Sequence, residues 1–347
     1  MLINNHIVSN GSQPYIIAEM SCNHRQRLSA ATRIIEAAAA AGADAIKTQT
    51  FTPSTMTMRC NSAEFKAPLP WGGGRTLYDL YEEAFMPWEW HYELKEVAKD
   101  LGLDYISSVY DESSLTFLIE NVDVDAYKIS SFEMFWYGLI KAALDTTKPV
   151  IISTGVASTR EINDLHNMLS HAAKPGSFSI LHCVSQYPTA NNDAALQLLK
   201  ELMTNYPKVA VGLSDHSLGY MVPIAATALG TCIIEKHLTL NRNDDTPDST
   251  FSLEPDEFKN MVQNVRNCWN AINSVKKATG SRLLSRSIYA VLNIKAGDSF
   301  NPDNIRIIRP GLGADPNQLS IFMGNTAYQD IPSGTPLDID IHIKESR

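Results

Sequence analysis

Nowhere in the 347 residues does a run approach eighteen consecutive apolar side chains, so no segment reads as a membrane span. Blocks of Lys or Arg are missing too. The formal charge is -9, which argues against a nucleic-acid surface but leaves room for a local basic pocket around an anionic ligand. The opening stretch, MLINNHIVSNGSQP, lacks a basic segment followed by an apolar one and does not read as a signal peptide. Cysteine is scarce. Cys22, Cys60, Cys183, Cys232 and Cys268 are odd in number and irregularly spaced, so they form no disulfide framework, and no pair has zinc-site spacing. Three of them lie in or beside apolar runs, where a free thiol behaves as a small hydrophobe. These absences predict a cytoplasmic protein of a reducing compartment, with neither a membrane nor a nucleic acid as partner.

What is present is alternation. Short β-rich runs occur at Tyr15 to Met20, Ala45 to Thr50, Asp104 to Tyr110, Ala126 to Ser131, Pro149 to Gly155, Phe178 to Val184, Val209 to Asp215 and Cys232 to Thr239. Helix-like stretches separate them, among them Ser29 to Ala41, closed by Gly42, and Pro87 to Leu101, closed by Gly102. Several runs are almost continuously apolar, as strands buried on both faces must be. Eight such units predict a closed (β/α)8 barrel. The alternative, a doubly wound open sheet, usually carries a glycine-rich turn after its first strand. Here that place holds SCNHRQ, without a glycine.

The connection from Thr52 to Met86 is too long for a simple loop and contains Gly72-Gly73-Gly74 and the helix-like LYDLYEEA, so it reads as a lid or substrate wall. A last helix is expected over Pro255 to Val275. The reading is a barrel domain over 1–275, a polar, basic linker over 276–286, and a small β-rich domain over 287–347.

Polar residues recur where the strands end. Glu19 closes the first run; Lys47 and Gln49 share a face of the second; Lys128 and Ser131 close the fourth, and Ser153 the fifth. His182, Ser185 and Tyr187 cluster after the sixth. Ser214, Asp215 and His216 close the seventh, and Glu235 and His237 the eighth. Each has a bland explanation alone: a solvated lysine, a hydrogen-bonded histidine, a turn serine. Seven of eight strands ending this way point to an active site, since unpartnered polar groups inside a barrel are costly. Two lysines with several hydroxyls make an anion cradle. His216 and His237 end adjacent strands, about 5 Å apart, and can reach one divalent metal. Glu19 and Glu235 are acid/base candidates. They also suit orientation of a metal's water.

The motifs IIAEMSCNH, GADAIKTQTFTP, YKISSFE, ISTG, GLSDHS, IIEKH and RPG, in this order, resemble the N-acetylneuraminate synthase family over nearly the whole chain. FTPSTMTM, LYDLYEEAFMPWEWH and SQYPTA resemble its pseudaminic acid synthase branch. The resemblance implies that the tail is an antifreeze-like (SAF) domain reaching over the barrel of a second copy in a domain-swapped homodimer. It implies that Lys47, Lys128, Ser131, Ser153, Ser185, Tyr187 and Ser214 hold phosphoenolpyruvate. His216 and His237 would bind a divalent metal, usually Mn(II), with Mg(II) or Co(II) as alternatives. Gln49 and Asp248 would face the sugar with Glu19, and Arg309 of the RPG motif would reach it from the partner's small domain.

The implied reaction condenses phosphoenolpyruvate with an acylated amino sugar, 2,4-diacetamido-2,4,6-trideoxy-L-altrose, giving a nine-carbon sugar acid and phosphate. The methylene carbon of phosphoenolpyruvate attacks the open-chain aldehyde, water adds to the enol carbon, and the C–O bond to phosphate breaks. Glu19 or Glu235 manages the water's proton. Other readings stay open: a neuraminate or legionaminate synthase using another sugar, a Schiff-base aldolase using Lys47, Lys128 or Lys236, or a catalytically dead binding module. The sequence also departs from the family at Arg25, in SSVYD and in the linker. Phe135, Trp136 and Tyr137 are unusually bulky; they narrow the sugar pocket or pack as core.

Overall fold

The computed structural model describes residues 1–275 and 280–343. The chain divides into two compact units, Met1–Ser274 and Val275–Arg347. Of the expected linker, residues 276–279 lie outside the described part, and the rest contains a short 3-10 turn, Arg282–Leu284.

In the first unit a hairpin of β1 (Leu2–Ile3) and β2 (His6–Ile7) precedes eight parallel strands. These are β3 (Tyr15–Glu19), β4 (Ala45–Thr50), β5 (Asp104–Val109), β6 (Ala126–Ile129), β7 (Val150–Ser153), β8 (Phe178–Cys183), β9 (Ala210–Asp215) and β10 (Ile233–His237). They close into one barrel, β10 pairing with β3, as the alternation predicts. The open-sheet alternative is thereby removed.

Period-2 alternation sorts the strand residues. Ile16, Ile46, Tyr127, Ile152, Ile180, Val211 and Ile234 point outward and pack under the helices. Ile17, Ala45, Ile106, Ala126, Ile151, Leu181, Ala210 and Ile233 fill the barrel's lower interior, and Ile3 and Val8 close it from below. Gly212 has no room for a side chain: an added Cβ would lie 2.3 Å from Leu181 and 2.6 Å from Ile233. Two residues further along β3, β4, β5, β6, β7 and β10, the same inward face turns polar, at Glu19, Lys47, Ser108, Lys128, Ser153 and Glu235; β9 turns polar at Ser214, and β8 ends in Cys183.

The helices follow ordinary rules. Leu28–Ala41 buries Ala31, Ile34, Ile35, Ala38 and Ala41, a single stripe, and Gly42 ends it at φ 85°. Pro255–Asn273 starts with proline in its first turn beside the Glu254/Glu257 capping box, and buries Phe258, Met261, Val262 and Val265. The expected helix from Pro87 begins later, at Trp90, because Pro87 belongs to the preceding turn, where its carbonyl accepts from Trp90 N–H. LYDLYEEA is a helix, Leu77–Ala84, capped by Thr76 and Asp79.

The second unit pairs β11 (Ser287–Ala290) with β12 (Ile305–Ile308), antiparallel. Its own core contains Ile288, Ile294, Phe300, Phe322, Ile331 and Leu337. Among the described residues no helix is long and apolar enough to cross a membrane.

Candidate active site

The polar ends of the strands surround a cavity of about 380 Å3 at the C-terminal mouth of the barrel. Glu19, Lys47, Gln49, Lys128, Ser131, Ser153, Tyr187, Ser214, His216, Glu235, His237 and Asp248 line it. Ser185 adjoins them: a Cβ built on Gly155 would meet Ser185 Oγ at 2.5 Å, Cys183 Sγ at 2.9 Å and Ser131 Oγ at 3.0 Å. Gly155 therefore leaves open the small space that these three side chains share. Arg309 lies in the second unit, exposed, directly after β12.

Charge is tightly coupled on the floor. Lys47 Nζ lies 2.9 Å from Glu19 and 3.3 Å from Glu235, and Lys128 Nζ lies 3.1 Å from the same Glu235 oxygen. Ser214 Oγ donates to that oxygen at 3.0 Å. Burial alone would raise Glu235, but the two lysines outweigh it and hold its carboxyl far below the usual range. At Glu19 burial wins over Lys47, with Glu235 adding repulsion, and the carboxyl sits above its ordinary value. Lys128 is pushed down by burial, against the pull of Glu235. Two neighbouring carboxylates are thus held in opposite directions, as in acid/base pairs.

The sugar-facing candidates form one chain of hydrogen bonds. Gln49 Nε2 donates to Glu19 at 2.7 Å and to Ser21 Oγ at 3.2 Å, and Ser21 donates to Asp248 at 2.5 Å. Trp71 Nε1 donates to the other Asp248 oxygen at 3.2 Å. Trp71 and Ser21 were not singled out by the sequence; the only signal for Trp71 was its place before the triple glycine in the long loop. That loop supplies the apolar wall as well, through Met56, Pro68, Leu77, Leu80 and Tyr81, with Phe51 beside it. The long loop thus forms one wall of the cavity.

Several polar atoms here are buried without a hydrogen-bond partner: Ser153 Oγ, Ser185 Oγ, Glu235 Oε2 and His237 Nδ1. Buried polar groups are normally satisfied, so a cluster of exceptions in one cavity marks a place built for a ligand.

A divalent metal fits the donor set at the two histidines. Their rings lie 5.4 Å apart. His216 Nδ1 is engaged by the Val184 carbonyl at 3.0 Å, the outer-shell bond that orients a ligating imidazole. His237 is held well below its ordinary pKa by burial, then by His216 and Lys47, so its ring is neutral and able to donate a lone pair. Both lysines are already paired inside the site, Lys47 with Glu19 and Glu235 and Lys128 with Glu235, leaving an anionic ligand short of free positive charge unless a cation joins it. Among the described residues no group of three or more His, Cys, Asp or Glu gathers as a full ligand set. Two imidazoles would then be completed by water and substrate.

Three sequence readings need correction. His182 faces away from the mouth and its Nε2 is bonded to the Ala194 carbonyl at 2.8 Å, because Leu181 and Cys183 occupy the inward positions of β8. Lys236 also points outward, to Asp215 at 2.6 Å, so it is unavailable to a substrate carbonyl. Phe135 and Trp136 neither pack as core nor line the cavity; they are exposed at an adjoining depression that shares Met56, Tyr110, Phe132 and Glu133 with it.

Comparison with known proteins agrees with this fold. Residues 34–277 match the NeuB family, and residues 285–340 match the SAF domain. The pseudaminic acid synthase of Campylobacter jejuni is 38% identical over 328 residues, covering 93% of this chain and 95% of its own. The chain belongs to the NeuB family. It is an enzyme of that family, with the barrel and SAF domain that its sequence motifs imply. The pseudaminic acid synthase of Helicobacter pylori is 37% identical, over 94% of this chain and 97% of its own. The crystal structure of the Bacillus subtilis spore coat polysaccharide biosynthesis protein spsE superposes with a TM-score of 0.68 at 29% identity, over 99% of both chains.

Proposed function

We propose that this enzyme, a synthase of sialic-acid-like sugars, condenses phosphoenolpyruvate with 2,4-diacetamido-2,4,6-trideoxy-L-altrose to give pseudaminic acid and phosphate. The sugar is taken from the resemblance to pseudaminic acid synthases. The observation that carries the chemistry is the set of partnerless buried groups, Ser153 Oγ, Ser185 Oγ and His237 Nδ1, around one lysine-bearing cavity.

Lys47 and Lys128 supply point charges to the anion, and Ser131, Ser153, Ser185 and Ser214 supply hydroxyl donors. Tyr187, its ring centroid 4.3 Å from that of His216 and tilted by 44°, borders that cradle. Gln49 and Asp248 hold the sugar from the opposite side. His216 and His237 would hold Mn(II), or Mg(II) or Co(II) in its place. When bound, the metal supplies Lewis acidity that polarises the aldehyde and favours the charge developing on its oxygen.

Two substrates held face to face gain from proximity. The methylene carbon of phosphoenolpyruvate forms the new C–C bond, and the aldehyde oxygen takes up a proton to become a hydroxyl. Water adds to the enol carbon, and the C–O bond to phosphate then breaks, leaving the keto acid. Glu19 takes the water's proton in this reading. Glu235 has two lysines and a hydroxyl on one oxygen and serves to neutralise them, whereas Glu19 answers only to Lys47 and Gln49. Arg309 would reach the sugar from the SAF domain of a second copy, in a domain-swapped homodimer.

Phosphate release from phosphoenolpyruvate with Mn(II) tests the reading, with the altrose sugar, its legionaminic counterpart and N-acetylmannosamine run in parallel. Turnover with the altrose sugar alone is expected. Turnover with another sugar keeps the chemistry and replaces the substrate; no release with any of them overturns both.

A further inference from the structure

Lys236 and Asp215 are among the most deeply buried charges in the chain, at 0% and 4% exposure, yet neither faces the cavity. They are direct cross-strand neighbours in the β9–β10 register, one position after the inward pair Ser214 and Glu235. Each also immediately precedes a histidine of the site. Lys236 Nζ lies 2.6 Å from Asp215 and donates to the Ser217 carbonyl as well. Asp215 in turn accepts from Ser217 N–H at 3.1 Å and from Ser217 Oγ at 2.9 Å. His216 is therefore pinned on both flanks, by residues 215 and 217, to the residue that precedes His237.

A buried ion pair is poor value as stabilisation, because desolvating two charges offsets their attraction. An apolar pair would hold these strands together as well. What an apolar pair lacks is direction: the ammonium and the carboxylate fix the strand ends to each other within hydrogen-bonding tolerance. Outer-shell bonds of this kind orient ligating side chains.

We propose that Asp215, Ser217 and Lys236 form a positioning clamp that sets the spacing of the His216 and His237 rings from outside the barrel. The clamp rests on the proposed metal role of those rings for its function, but its geometry is independent of it.

The test is the full-length double variant Asp215→Leu/Lys236→Met, which removes both charges together. Thermal unfolding reports the fold, and Mn(II) titration followed by electron paramagnetic resonance reports the site without turnover. Mn(II) affinity is expected to fall about 10–100-fold, the range for outer-shell losses, with unfolding within a few degrees of the parent and cavity-lining residues untouched. Parental Mn(II) affinity in the folded double variant overturns the clamp. If that variant does not fold, Ser217→Ala takes its place; a loss of affinity of about tenfold, the low end for outer-shell changes, is expected from the weakened Asp215, and no loss overturns the proposal. A parent that binds no Mn(II) refutes the metal reading alone. The clamp is then judged by the ring resonances of His216 and His237 in isotope-labelled protein: displaced resonances in the double variant uphold it, and parental ones overturn it.

Discussion

Ser153 and Ser185 carry hydroxyls that bond to nothing in the protein. A hydrogen bond to a charged group contributes about 1.5–3 kcal/mol. Ser153→Ala should therefore raise KM for phosphoenolpyruvate by roughly ten- to a hundredfold with kcat little changed; steady-state kinetics with the sugar saturating checks it, and an unaltered KM removes Ser153 from the cradle. The two carboxylates separate by a different pattern. Glu19→Gln should lower kcat by about 10²–10⁴-fold, the usual worth of a positioned acid or base, and leave the fold intact. Glu235→Gln should instead destabilise the protein by about 3–5 kcal/mol, since it leaves two buried lysines without their shared partner. Urea unfolding alongside kinetics distinguishes the two. Equal behaviour of both variants would sink the division of roles.

At the scale of the element, the long connection after β4 and the helix before β5 deserve separate tests. Trp71 hangs from that connection and bonds Asp248, the residue proposed to hold the sugar. Trp71→Phe should raise KM for the sugar several-fold while the phosphoenolpyruvate KM stays put, because only the Asp248 side loses a donor. Helix Trp90–Asp100 is tied to the barrel by His91, whose ring bonds Thr50 at 3.0 Å and Tyr105 at 2.9 Å. Burial lowers His91 to about 3 and His24 to about 4. Both pKa values lie below those of the unfolded chain, so the unfolded state binds more protons under pH 6.5. The stability they contribute is full above that value and falls as pH drops, by about 1.4 kcal/mol per pH unit for each ring. Urea midpoints measured from pH 7 to pH 5 should decline accordingly, and His91→Gln should flatten the decline; a slope identical to the parent's would exclude His91 as the cause.

For the whole molecule, the proposed swapped homodimer makes a prediction of its own. Arg309→Ala and His237→Ala should each be inactive, yet after subunit exchange about a quarter of the activity should return, from the one intact site in each mixed dimer. Absence of complementation in proven heterodimers argues that Arg309 acts elsewhere. How far such roles were legible differs by kind of residue. The barrel was readable from the order of its units alone, since strands buried on both faces must be apolar and their side chains must alternate. Lys47, Lys128, Glu235 and His237 could be picked out because charge within such a run demands a partner or a purpose. The sequence by itself thus determined the (β/α)8 architecture, the family and most of the cavity lining. Only the tertiary structure decided that His182 and Lys236 face outward, that Trp71 bonds Asp248, and which of two glutamates the lysines neutralise. Those outcomes depend on distances between strands and loops far apart in the chain, and residue spacing along one strand carries no information about them.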